Sequence, residues 1–202
     1  MKKSNIIAIG TLTAAVAALA VWSVTRGEVT LKDYLRLPKW GISIVGIVFL
    51  LMLFIPNIIW SKNQPEGYEE SAKRENKLLL SLERAGEALV STLVLIDRRL
   101  DNIGTPSYGG YIPSPRLGYL ILALILMILY ELYWRKYFRS SRTLADMYSD
   151  YCGFPLAGAS LPVFAVFLLG IYACNVFLTA AAVILGIGHI GIHLMHKKEI
   201  EK

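Results

Sequence analysis

An all-α fold, a polytopic bundle of about six transmembrane helices, is predicted by three observations. Apolar residues make up 55% of the 202-residue chain and charged residues 18%, where a soluble domain carries about a quarter charged. The apolar residues come in blocks of roughly 20, the length that crosses a hydrocarbon core. Short polar connectors with Lys, Arg, Trp and Tyr at their edges separate the blocks.

The first block, residues 6–24, follows Met1-Lys2-Lys3. A basic start, an apolar core and Ala18-Leu19-Ala20 are also the features of a signal peptide. The run is long enough to span and Trp22 suits an interface, which favours a first span; cleavage would leave five. Residues 26–39 form a mixed-charge connector, part of which could lie on a membrane surface. The second span is 41–60, with Pro56-Asn57 near its end, where a proline removes a backbone donor and Asn57 is a packing or binding group.

Residues 61–77 are polar, with Pro65-Glu66-Gly67 as their turn, and the next helix is expected to start before Asn76. The third span, 78–96, carries Glu83, Arg84 and Glu87 in an otherwise apolar segment. A charge at the bilayer centre costs roughly 2.5–3.5 kcal/mol on insertion scales. These groups are therefore paired locally, placed at the interface, or turned into the bundle for a functional purpose. Residues 97–116, with three prolines and Gly109-Gly110, read as a turn-rich connector. The fourth span, 117–134, ends in Tyr130, Glu131, Tyr133 and Trp134, followed by Arg135, Lys136, Arg139 and Arg142, an aromatic belt and a basic anchor. From Phe154 to Met195 there is no Asp, Glu, Lys or Arg. The run is too long for one span, so it divides into a fifth, 155–172, and a sixth, 176–196, joined by a tight turn.

All three histidines lie in the last block. His189, His193 and His196 follow i, i+4, i+7 spacing and share a helix face. Adjacent pairs could hold a divalent metal, with zinc, iron or manganese suited to mixed His and carboxylate ligands. All three on one ion would need a bent helix, since His189 and His196 are separated by roughly 10 Å of rise. The bland alternative is three interfacial histidines bonded to neighbours; a proton or substrate role is the third reading. Gly188 and Gly191 lie on the other side, where a second helix could approach closely.

With six spans, thirteen Lys and Arg fall on the side of the termini and of connectors 61–77 and 135–153, against seven on the other. That imbalance places both termini in the cytoplasm and makes the connector 26–39 the dissenting segment. The net charge of +6 then reports membrane flanks and not nucleic-acid binding. Cys152 and Cys174 fall on opposite sides and are expected to stay unbridged. Glu83, Arg84, Glu87, Asn57, Glu131 and the histidines all fall towards the cytoplasmic side and form the candidate polar cluster.

Ile55-Pro56-Asn57-Ile58-Ile59-Trp60, Glu75-Asn76-Lys77 leading to Glu83-Arg84-Ala85-Gly86, and the stretch from Gly186 to His196 ending in His196-Lys197-Lys198 together resemble a set of small bacterial multi-pass membrane proteins with no assigned activity. The similarity covers roughly residue 41 to the end. It implies a bacterial plasma membrane and carries no catalytic residue over. The chain has no H-E-x-x-H, C-x-x-C-H, G-x-S-x-G or Walker sequence. Three function classes follow. The first is a small carrier or the subunit of a membrane complex. The second is a metal-dependent enzyme acting through the His/Glu cluster on a lipid or lipid-linked substrate at the cytoplasmic leaflet. The third is a proton-coupled transporter. The lipid bilayer is the one partner implied; a homo-oligomer or a partner subunit is left open.

Overall fold

The computed structural model describes residues 35–201, apart from 109 and 115, together with Lys32. The expected first span, 6–24, lies outside the described residues. The remaining chain is helical, with one small hairpin. Helix α1 is Ile44–Ser61, α2 Tyr68–Ala72, α3 Lys77–Ile96, α4 Leu117–Arg139, α5 Leu144–Met147, α6 Ala157–Tyr172 and α7 Val176–Ile200. Among the described residues, α1, α4 and α7 are long and apolar enough to cross a membrane. Helix α6 is as apolar but has 16 residues. Helix α3 has 20 residues, but its charges lower its hydropathy.

The connector 97–116 departs from the expectation of a simple turn. It forms a 3-10 turn at Arg98–Asp101 and an antiparallel pair, β1 Gly104–Ser107 with β2 Gly110–Pro113. A run of four residues on each side of a tight turn is too short to show a strand period, which is why composition alone reads it as loop. The start of α3 also differs. Helix α2 ends at Ala72, and Asn76 caps α3 with its side chain accepting from Leu78 N and Leu79 N. An Asn before an apolar run is a start signal because its oxygen satisfies the first unpaired N–H groups. The fourth helix runs on past 134 to Arg139, carrying its basic anchor beyond the apolar segment.

The long helices alternate in direction. One end of the bundle gathers the hairpin, the 3-10 turn and the α6–α7 turn. The other, the tail end, gathers α2, α5 and the C-terminal turn of α7. Helix α3 packs along α7, α7 also against α6, and α6 against α4, while α1 lies outside on α3 and α4. Helix α6 is buried on nearly every side. Helix α1 leaves Ile44, Leu51, Ile55 and Ile58 exposed. A contiguous apolar face of this kind is a surface for lipid or for another chain.

Small residues set the closest approach. A Cβ on Gly188 would stand 2.3 Å from Glu83 N, and one on Gly86 would stand 2.5 Å from Leu185 Cα. Each helix therefore presents a glycine to the other's backbone, the device that brings apolar helices together without a hydrophobic driving force between them. The face of Gly188 and Gly191 is thus occupied by α3.

At the hairpin end a buried carboxylate ties four segments together. Asp97 is 0% exposed. It accepts from Lys39 N at 3.2 Å, from Arg99 Nη2 at 2.6 Å and from Asn175 Nδ2 at 2.7 Å. Arg99 Nη1 donates in turn to the carbonyls of Arg36 and Cys174, both at 3.2 Å. Asp101 accepts from Ser43 Oγ and Val45 N at the start of α1. Burying a carboxylate is tolerated only when it is paired and its lone pairs are filled, as here. Cys174 is buried at this end and Cys152 is exposed at the other, and the two are not bridged to each other.

Candidate functional site

The glycine contacts bring α3 and α7 into register at their tail-end halves. There Glu83 Oε1 lies 2.5 Å from His189 Nδ1. The pair is partly buried, with 11% of the Glu83 side chain and 23% of the His189 side chain exposed. One turn along α3, Arg84 Nη1 donates to Glu87 Oε2 at 2.9 Å across i, i+3. That contact is the local pair the sequence allowed. The contact of Glu83 with His189 is not local and turns its carboxylate into the bundle.

The two remaining histidines continue the polar face. The His193 ring stands 4.6 Å from that of His189 and 5.1 Å from Tyr148, edge to face. His196 is 2% exposed, and its Nδ1 is hydrogen-bonded to the Tyr148 hydroxyl. Its Nε2 lies 3.3 Å from Glu75 Oε1 without hydrogen-bond geometry. His193 Nδ1 is buried with no hydrogen-bond partner among the described residues. Burial pushes the Tyr68 hydroxyl up to about 12 and raises that of Tyr148 as well, so both are neutral donors. Burial, and then the charge of Glu83, hold the Glu75 carboxyl above its ordinary value, with Arg84 opposing.

These groups line one cavity of about 130 Å³. Helices α1, α3, α4 and α7 form its walls, and α2 with the segment around Tyr148 caps the tail end. Asn57, Glu83, Arg84, Glu87, His189, His193 and His196 all line it. Asn57 is held by its own Nδ2, which donates to Leu53 O at 2.8 Å and to the Tyr130 hydroxyl at 3.2 Å. Glu131 is not part of it. It faces a separate groove on the outer side of α4, with Arg135 and Arg139, because its position on the helix turns it away from α3 and α7.

Among the described residues no three of His, Cys, Asp and Glu gather as a metal ion needs. His189 and His196 are each engaged by an oxygen, of Glu83 and of Tyr148. Sequence reading missed Tyr148, Glu75 and the ring pair Trp60–Tyr68, whose centroids stand 4.9 Å apart at 90°. Nothing in the spacing of Tyr148 marks it; tertiary packing of the connector over α7 brings it in. Glu75 enters the sequence reading only within the stretch Glu75-Asn76-Lys77.

The chemistry of the cavity is that of a mixed receptor. Three carboxylates, Glu75, Glu83 and Glu87, line it with a single guanidinium, Arg84, and with the rings of Trp60, Tyr68 and Tyr148. Comparison with protein-family models, curated proteins and solved structures returns no match, so the functional reading rests on the residues of this chain.

Proposed function

We propose that the chain is a multi-pass protein of a bacterial plasma membrane and a small carrier whose polar pocket takes a small organic cation of ammonium type. Five antiparallel helices and the apolar segment 6–24 make six spans in this reading. The excess of Lys and Arg at the tail end supports a cytoplasmic location for both termini and for the mouth of the pocket. The observation that carries the ligand class is the lining itself, three carboxylates against one permanent cation among aromatic rings. Carboxylates supply the counter-charge, and ring faces attract ammonium groups by their quadrupoles. Charges this expensive in a span are kept where they bind or move something.

Tetramethylammonium is the probe. Purified protein in detergent binds it, and the affinity falls at least tenfold in Glu87→Gln. Proteoliposomes carrying the protein release the labelled probe faster than empty ones. Binding without flux would move the reading to a subunit of a membrane complex. Absence of binding by a folded protein would sink the cation reading.

A second reading is favoured by one contact. A carboxylate on Nδ1 orients an imidazole so that its other nitrogen can exchange a proton. The Glu83–His189 pair has that form, and acid–base chemistry on a lipid or lipid-linked substrate is the corresponding enzyme.

A further inference from the structure

We propose that the occupant of the pocket is an amphiphile, an ammonium head followed by one apolar chain. This rests on the reading of the pocket as a cation site and adds the second half of the ligand. Beside the polar cavity lies another of about 240 Å³, lined by Leu53, Phe54, Val90, Val163 and Leu185 among others. The two cavities share Asn57, Glu87 and His189. Those three residues form a seam, polar on one side and apolar on the other.

The seam determines the ligand's shape. A purely polar solute would fill the first cavity and leave an apolar space in contact with its carboxylates. A purely apolar one would fill the second cavity and leave the buried polar groups of the first unmet, which is costly. A molecule polar at one end and apolar at the other satisfies both. Two buried imidazole nitrogens, His193 Nδ1 and His196 Nε2, have no hydrogen-bond partner among the described residues, and both histidines line the head cavity, not the chain cavity. The unmet polar demand thus lies on the head side of the seam. Phe54, 46% exposed, stands at the edge of the chain cavity on the outer face of α1. The chain can therefore enter sideways from the bilayer, while the head stays at the tail-end mouth.

The test compares tetramethylammonium with decyltrimethylammonium, which share a head and differ by a chain. Binding to the full-length protein in dodecylmaltoside is followed by calorimetry. The decyl compound is expected to bind at least tenfold more tightly. Ser91→Phe, which places a ring in the chain cavity, reduces the decyl compound to the affinity of the short one and leaves tetramethylammonium unchanged. Leu53→Trp fills the same cavity from α1 and does the same, so a folding failure of one variant leaves the other to decide. Equal affinities for the two probes in the wild-type protein overturn the amphiphile and leave the cation site standing. A chain advantage that survives both substitutions overturns it too, because the chain then lies elsewhere. If neither probe binds, the cation reading fails and takes the amphiphile with it.

Discussion

Glu83 Oε1 and His189 Nδ1 lie 2.5 Å apart although 106 positions separate them in the chain. The contact exists because Gly188, the residue before His189, lets the α3 backbone come against α7. Packing and polar pairing here are one event. Without the glycine the helices would separate, and a partly buried carboxylate would lose its partner.

The first prediction follows from that spacing. Gly188→Ala places a methyl 2.3 Å from Glu83 N, a backbone atom that cannot step aside. Overpacking of this kind costs about 1–3 kcal/mol. Gly191→Ala meets only the side-chain end of Leu79, at 3.1 Å, and should cost less. Thermal unfolding of both variants in detergent checks the order; equal losses would contradict the close-approach account.

The second concerns the contact of Glu83 with His189. Glu83→Gln and His189→Ala each strand a partner, while the double variant strands neither. A double-mutant cycle should therefore return a coupling of about 0.5–3 kcal/mol. A coupling near zero would mean that the two groups are solvated independently.

The third concerns the hairpin end. Asp97 is fully buried and accepts from Arg99, Asn175 and Lys39 N. Asp97→Ala leaves the Arg99 guanidinium without its carboxylate, a change that costs about 3–5 kcal/mol for a buried pair. Arg99→Lys should also destabilise, because an ammonium cannot fill the fork that Arg99 Nε and Nη2 make with the two carboxylate oxygens. Chemical denaturation reads both. Tetramethylammonium binding at the other end should survive wherever the variants fold.

The fourth is a pH dependence with two opposing signs. The Glu75 carboxyl is raised above 4.5 by burial and by Glu83. The folded state therefore holds its proton more tightly than the unfolded one. Stability from this group is present below pH 4.5 and is lost as pH rises through the folded value. Asp146 is lowered below 3.8 by its hydrogen bonds from Thr143. Its contribution is present above pH 3.8 and is lost as pH falls through the folded value. Glu75→Gln should flatten the acid-side gain in melting temperature, and Thr143→Ala should reduce the acid-side loss. Unchanged melting profiles in both variants would exclude these assignments.

What the sequence by itself determined is everything that depends on neighbours along the chain. The helical class, the three long apolar helices and the tight turn before α7 follow from local hydropathy and from turn residues, and so does the i, i+3 contact of Arg84 with Glu87. The tertiary structure alone decided the partners across the bundle: Glu83 with His189, Tyr148 with His196, Asn175 with Asp97. It also turned Glu131 away from the cluster. The physical reason is rotation. Hydropathy averaged over a span reports how apolar a helix is, whereas a polar contact depends on which way each helix turns about its axis, and that is set by which small residues meet which backbone when the helices pack.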